Sequence, residues 1–330
     1  MKQTEAAVVQ NENYLQLLKE QGDLDQDQLS FRVNDSLHDF QAKLQKFGEI
    51  SVETMASMVN LEQGKANQAQ RHIPLPTKSI DNISLELNGK TNHGIKGVGG
   101  CLISSNDTIL ISACHQDKVV AVNKEGRIHF EINVQSPEGI VSVDENTIAV
   151  ATLRNISILD VRKRSVMRTI KLNGLKYGLT YKEGALICCV QGEGIISISL
   201  EDESVTFIVD CNLPPFSHVT TYEDNIYYTG GLLSNTVTCC DFKGHIQWQF
   251  ENKTILRETR GIGVDGNGHI FVAAYQTKNV VVISSDGKHS RIILNKDNGL
   301  TNPSGLHYDE RTKKLLLSNW DDTAVLFNIK

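Results

Sequence analysis

The chain repeats itself, and the length of the repeat restricts what it can fold into. One segment, RGIGVDGNGHIFVAAYQTKNVVVI from Arg260, reads as three apolar runs separated by turns. Related segments begin GGCLISSNDTILISACHQDKVVAV at Gly99, EGIVSVDENTIAVATLRNISILDV at Glu138 and YGLTYKEGALICCVQGEGIISISL at Tyr177. Two more begin FSHVTTYEDNIYYTGGLLSNTVTCC at Phe216 and SGLHYDERTKKLLLSNWDDTAVLF at Ser304. The equivalent positions Gly100, Gly139, Gly178, Ser217, Gly261 and Gly305 lie 39, 39, 39, 44 and 44 residues apart, which makes six copies.

Each copy holds three or four short runs rich in Val, Ile and Tyr, bounded by turns such as EDN, DGNG and SSDG. That is the pattern of consecutive antiparallel strands. A period of roughly 40 residues with four strands per unit predicts an all-β, six-bladed β-propeller, because one blade cannot bury its two faces alone and must stack on neighbours. Runs such as Val280 to Ile283 and the pair Ile195-Ile196 are apolar on both faces, as blades sandwiched between blades require. A β-sandwich has evenly spaced strands too, but not a fixed period, so the repeat sets it aside. The last copy supplies only three strands before the end at Lys330, and ISLELNG, Ile83 to Gly89, precedes the first copy without a partner. A front strand that completes the last blade would close the ring over residues 81–330 and remove its edges.

The 330 residues are 40% hydrophobic, enough for a sizeable core. Net charge is −6, with 7 basic against 11 acidic residues over positions 1–75 and 26 against 28 over the rest, so neither part is a basic body built for nucleic acid. The start, MKQTEAAVVQNENY, has no apolar leader core, and no run approaches the length of a membrane helix, so a soluble, cytoplasmic protein is expected. The seven cysteines include two adjacent pairs, Cys188-Cys189 and Cys239-Cys240, inside apolar runs, where they read as small hydrophobes. No C-x-x-C spacing for zinc occurs.

Ahead of the repeats, Leu29, Val33, Leu37, Phe40, Leu44 and Phe47 recur at helical steps, with Gly48 at the position of a C-cap. This predicts a coiled-coil-like α-helical segment over residues 1–50. A polar linker with Pro74 and Pro76 follows over 51–80. Packing on the propeller and pairing with a partner helix are both open for the helix, since three heptads are short for a coiled coil standing alone.

The order of heptad helix, linker and six-bladed propeller resembles the TRIM-NHL proteins, in particular their molluscan TRIM-like group. The residues that carry the likeness are Gly261-Ile262-Gly263-Val264-Asp265, Gly268-His269-Ile270-Phe271-Val272-Ala273 and Asn279-Val280-Val281-Val282-Ile283, with KLQKFGEISVE at Lys43 and LPTKSIDNISLELNG at Leu75. The resemblance implies an NHL-like propeller, ubiquitination, innate immunity and dimerisation through the helix. Ligase chemistry in that family resides in an N-terminal RING with zinc-binding B-boxes, and residues 1–100 hold no cysteine. Ala274 stands where the family usually has Asp after the second strand, and Val281 where it often has Arg. The expectation is therefore a non-enzymatic adaptor that recruits substrates for RING-bearing relatives.

No catalytic, cofactor or metal site is expected. A calcium-dependent lactonase or esterase propeller would need six to eight oxygen ligands around its channel. Only Glu138 and Asn302 offer oxygens among the inner-strand positions Glu138, Tyr177, Phe216, Arg260 and Ser304. His115 lacks an acidic or nucleophilic partner at any readable spacing. GEG at Gly192 and GNG at Gly266 are turns without the strand-to-helix setting of a phosphate loop. Recognition remains. The loops between second and third strands, with the connections between blades, should share one face that gathers His115, Arg154, Phe216, Leu232, Leu233, Arg257, Arg260, Tyr275 and Trp320 for a protein partner. Arg257, Arg260, Lys253 and Lys278 offer a patch for RNA as the alternative ligand, diluted by Glu251 and Glu258.

Overall fold

The computed structural model describes residues 79–330 with the exception of Lys124. The helical segment expected over 1–50 and nearly all of the linker expected over 51–80 lie outside the described residues. Every described element belongs to the repeats or to the segment just ahead of them.

Each of the first five copies forms one four-stranded antiparallel blade, and the sixth copy forms three strands of the last. Blade 1 holds β2 (Val98–Ile103), β3 (Ile109–Ala113), β4 (Lys118–Val122) and β5 (Ile128–Asn133), and blade 2 holds β6 (Pro137–Ser142), β7 (Thr147–Thr152), β8 (Asn155–Asp160) and β9 (Ser165–Lys171). Blade 3 consists of β10 (Lys176–Lys182), β11 (Ala185–Val190), β12 (Gly194–Ser199) and β13 (Val205–Asp210), and blade 4 of β14 (Val219–Tyr222), β15 (Asn225–Thr229), β16 (Thr236–Asp241) and β17 (Ile246–Glu251). Blade 5 comprises β18 (Thr259–Val264), β19 (Ile270–Ala274), β20 (Asn279–Ile283) and β21 (Ser290–Leu294). The sixth joins β22 (Pro303–Asp309), β23 (Lys314–Asn319) and β24 (Asp321–Ile329) to β1 (Leu85–Lys96) in the order β1-β24-β23-β22. The front strand thus closes the ring. It is longer than the ISLELNG segment suggested, because it follows the nine-residue β24 from Leu85 opposite Ile329 to Lys96 opposite Asp321, with shifts of register after Leu87 and Asn92.

The doubly apolar runs find their reason in the packing. Val120 and Val122 of β4 face blade 6, while Val119 and Ala121 between them face blade 2. In β20, Val280 and Val282 pack against blade 6 and Val281 and Ile283 against blade 4. Alternate side chains therefore enter two different inter-blade cores, and each buried Val or Ile contributes about 1.5–3 kcal/mol. The cysteine pairs obey the same rule: Cys188 lies between blades 2 and 3 and Cys189 between 3 and 4, while Cys239 and Cys240 face opposite sides of blade 4. All seven thiols are free, and burial pushes those of Cys101, Cys188 and Cys240 up to about 12, so they behave as apolar filling.

Glycines set how closely the inner strands meet. A Cβ on Gly139 would lie 2.3 Å from the carbonyl oxygen of Tyr177, one on Gly178 2.3 Å from Cα of His218, and one on Gly261 2.5 Å from the amide nitrogen of Leu306. At these three positions glycine is thus a requirement of blade-to-blade backbone contact around the channel, while Ser217 takes the equivalent place in blade 4.

Candidate functional site

Strand direction places the start of each inner strand, the turns between second and third strands and the connections between blades on one end of the ring. At the centre of that face sits Arg260, the second residue of β18. Its guanidinium carbon lies 3.7 Å from the ring centre of Tyr275, 4.3 Å from that of Phe216 and 5.1 Å from that of Trp320. The cation is buried beneath these rings. Cation–π contacts of this desolvated kind contribute on the order of 2 kcal/mol each at best.

Glu258 supplies the counter-charge. Its Oε1 accepts from Arg260 Nε at 3.1 Å and Nη2 at 2.5 Å, its Oε2 accepts from Gln276 Nε2 at 3.1 Å, and Nη1 of Arg260 reaches Ser304 Oγ at 3.3 Å. Glu258 adopts φ 57°, the left-handed region that costs a non-glycine residue roughly 1 kcal/mol or more. That turn is fixed by Tyr275 and Gln276, whose amides donate to the carbonyls of Glu258 and Arg257 at 3.0 and 3.1 Å. The pair is tied to the fold: removing one partner strands a buried charge at a cost of about 3–5 kcal/mol.

Each ring has its own support. Phe216 sits on the β13–β14 connection with φ 63° and meets Tyr177 edge-on at 5.2 Å. Trp320 forms the β23–β24 turn, where its amide donates to Asn302 O at 2.7 Å and its carbonyl accepts from Gly97 N at 2.9 Å. Its neighbour Asn319 is buried with both amide atoms engaged, to the amides of Thr301 and Asn302 and to Gly299 O and Thr323 Oγ1. The exposed His115 packs edge-on against Trp320 at 5.4 Å, from the turn Cys114–Gln116.

Inside the mouth lies Glu138 at the start of β6. Burial pushes its carboxyl up to about 7, and the charge of Arg260 only partly opposes this. The closeness of the inner strands explains the confinement, since a Cβ on Gly99 would meet Glu138 Oε2 at 2.6 Å. Half-buried beside the same mouth, His218 is held down to about 4 by desolvation and then by Arg260.

Of the nine residues expected on the recognition face, five meet at its centre: His115, Phe216, Arg260, Tyr275 and Trp320. The other four sit elsewhere. Arg154 lines a polar cavity of about 550 Å³ with Asn133, Gln135, Ser136 and Asn155 between blades 1 and 2. Its turn is anchored by the buried Lys176, whose ammonium donates to the carbonyls of Arg154, Leu172 and Gly174. Leu233 and Arg257 line a cleft of about 310 Å³ between blades 4 and 5, together with Asn235, Lys253, Glu258 and Gln276. Leu232 is half-buried in the same loop as Leu233.

The expected basic patch needs correction. Arg260 turns inward to Glu258 and the rings, with the left-handed turn at Glu258 just ahead of β18 and both side chains buried in the mouth. Lys253, Arg257 and Lys278 are exposed, and Lys253 pairs with Glu251 at 3.4 Å. Glu258 was legible in the sequence only as a diluting charge, although its spacing from Arg260 was the available signal. Among the described residues no group of three or more His, Cys, Asp or Glu side chains is placed to hold a metal ion.

No family model matches the chain, and no curated protein matches it. Solved structures do share its fold. A protein of unknown function from Bacteroides thetaiotaomicron is similar over 75% of this chain and 76% of its own, with a TM-score of 0.62 and 12% identity. Hydrazine synthase from Kuenenia stuttgartiensis is similar over 68% of this chain and 74% of that chain, with a TM-score of 0.51 and 16% identity. At such identities the likeness shows a propeller fold alone. Among the described residues no helix is long and apolar enough to cross a membrane.

Proposed function

We propose that the chain is a non-catalytic recognition protein whose propeller binds a protein partner through the loop face, centred on the rings around Arg260. The observation that carries this reading is the convergence of Phe216, Tyr275, Trp320 and His115 from separate loops onto one mouth, over a guanidinium already desolvated and locked by Glu258. Arg, Tyr and Trp dominate interface hot spots, and side chains whose ordering cost is met in folding give their contact energy to binding. Following the resemblance, the partner is a cytoplasmic substrate handed to RING-bearing relatives for ubiquitination, with the segment of residues 1–50, expected from its sequence to be helical, as the part that joins the two.

An RNA-binding face loses support because Arg260 turns away from solvent. A calcium-dependent hydrolase loses support because, among the described residues, no group of three or more His, Cys, Asp or Glu side chains is placed to hold a metal ion. The test is capture from cytosolic lysate by the full chain, with and without RNase, compared with Tyr275→Ala/Trp320→Ala. Proteins retained after RNase and lost with the double substitution are expected. Capture that RNase abolishes, or that the substitutions leave unchanged, overturns the reading.

A further inference from the structure

We infer that the cleft between blades 4 and 5 is a docking site for a partner segment carrying a carboxylate side chain beside an aliphatic one; this rests on the protein-recognition reading and names the chemistry that reading would select. Glu258 faces this cleft, yet its Oε1 is engaged by Arg260 and its Oε2 by Gln276. The carboxylate nearest Arg257 in sequence is therefore turned to an internal partner. Arg257 is exposed, and among the described residues no carboxylate pairs with its guanidinium. Lys253, also on the cleft, is held only by an exposed pair with Glu251 at 3.4 Å, which opens at little cost.

Leu233 lines the same cleft, 83% exposed and at φ 63°. A leucine held in the left-handed region carries backbone strain. The turn that imposes this is anchored on both sides: Leu232 N donates to Pro215 O at 2.8 Å, Ser234 N to Gly231 O at 3.2 Å and Thr259 N to Ser234 O at 3.2 Å. Leu233 is thus presented rather than loosely exposed. The cations Arg257 and Lys253, the aliphatic Leu233 and the amides of Asn235 and Gln276 line one cleft and together complement an acidic, leucine-bearing peptide. A nucleic acid strand needs exposed rings to stack its bases and cations that follow its backbone; Leu233 offers no ring, and Glu251 interrupts the cations.

The experiment uses fluorescence anisotropy on the full chain with a labelled peptide repeating Glu-Leu-Ser, its Lys-Leu-Ser counterpart and oligouridylate. Binding of the acidic peptide alone is expected, weakened about tenfold or more by Arg257→Glu and by Leu233→Asp. Both residues are exposed, so unchanged melting of the variants verifies that the fold survives. Equal binding to wild type and variants, no binding at millimolar peptide, or preference for oligouridylate overturns the inference. The two readings fail separately: lysate capture lost in Tyr275→Ala/Trp320→Ala but indifferent to Arg257→Glu and Leu233→Asp upholds the central face and removes the cleft.

Discussion

Glu138 and Arg260 share one channel mouth, and burial treats them differently because only the guanidinium has a hydrogen-bonded counter-ion. For Glu138 the folded carboxyl titrates near 7 against an ordinary value of 4.5, so the protonated form is the one that folding favours. Its contribution is fully present below about pH 4.5 and is lost as the pH rises through 7, an effect on the order of 3 kcal/mol at most. Glu138→Gln, which mimics the protonated acid, should therefore be more stable than wild type at pH 8 by about 2 kcal/mol, with the gap closing towards pH 5. His93, His218 and His307, each held down to about 4 by desolvation, act in the opposite direction but are present in both proteins, so they largely cancel in the difference. Urea unfolding of the two proteins at both pH values measures the gap; a gap independent of pH would show that the carboxyl ionises freely in the folded mouth.

At the scale of the strand, the repeating glycine makes the sharper prediction. A methyl group on Gly139 would press on two backbone atoms of β10, Tyr177 O at 2.3 Å and Leu179 N at 2.9 Å, neither of which can swing away as a side chain does. Gly139→Ala should cost about 3 kcal/mol through overpacking, whereas Gly89→Ala, with nothing within 4 Å, should cost far less; denaturant midpoints compare them. This glycine also marks what could be read beforehand. Its period located the inner strands, and the unbroken apolar runs foretold strands buried on both faces, because those features depend on neighbours at a fixed sequence distance. The loop face was legible only as a direction. Which of its residues sit at the centre depends on radial position: Phe216, Tyr275 and Trp320 reach Arg260, while Arg154 and Arg257 lie out at the clefts between blades. Turns at positive φ, such as that at Glu258, decide this, and the spacing of Glu258 from Arg260 points to a pair but not to the direction in which it turns.

The ring as a whole depends on its seam. Asn88 bonds to Asn328 at 3.0 Å, 240 residues away, and Ser84 and Lys330 exchange backbone hydrogen bonds at 3.1 and 2.9 Å. The same front segment sends Ile80 and Ile83 into the core between blades 5 and 6 and Ile95 into the core between blades 6 and 1. Nη2 of Arg291 fastens it from blade 5, donating to Ile80 O at 2.8 Å and Ile83 O at 2.6 Å. Removing everything before Gly97 would take away β1 and leave the nine-residue β24 as an open edge, while its apolar partners lose their cover on two faces. An exposed edge of that length pairs with other chains. The shortened protein should melt well below the full chain and associate on size exclusion, and adding a peptide of residues 79–96 in trans should raise its melting temperature and restore the monomeric elution of the repeats. A shortened protein that melts with the full chain and stays monomeric would show that five complete blades and a three-stranded sixth already hold the ring, and that the front strand covers the seam without stabilising it.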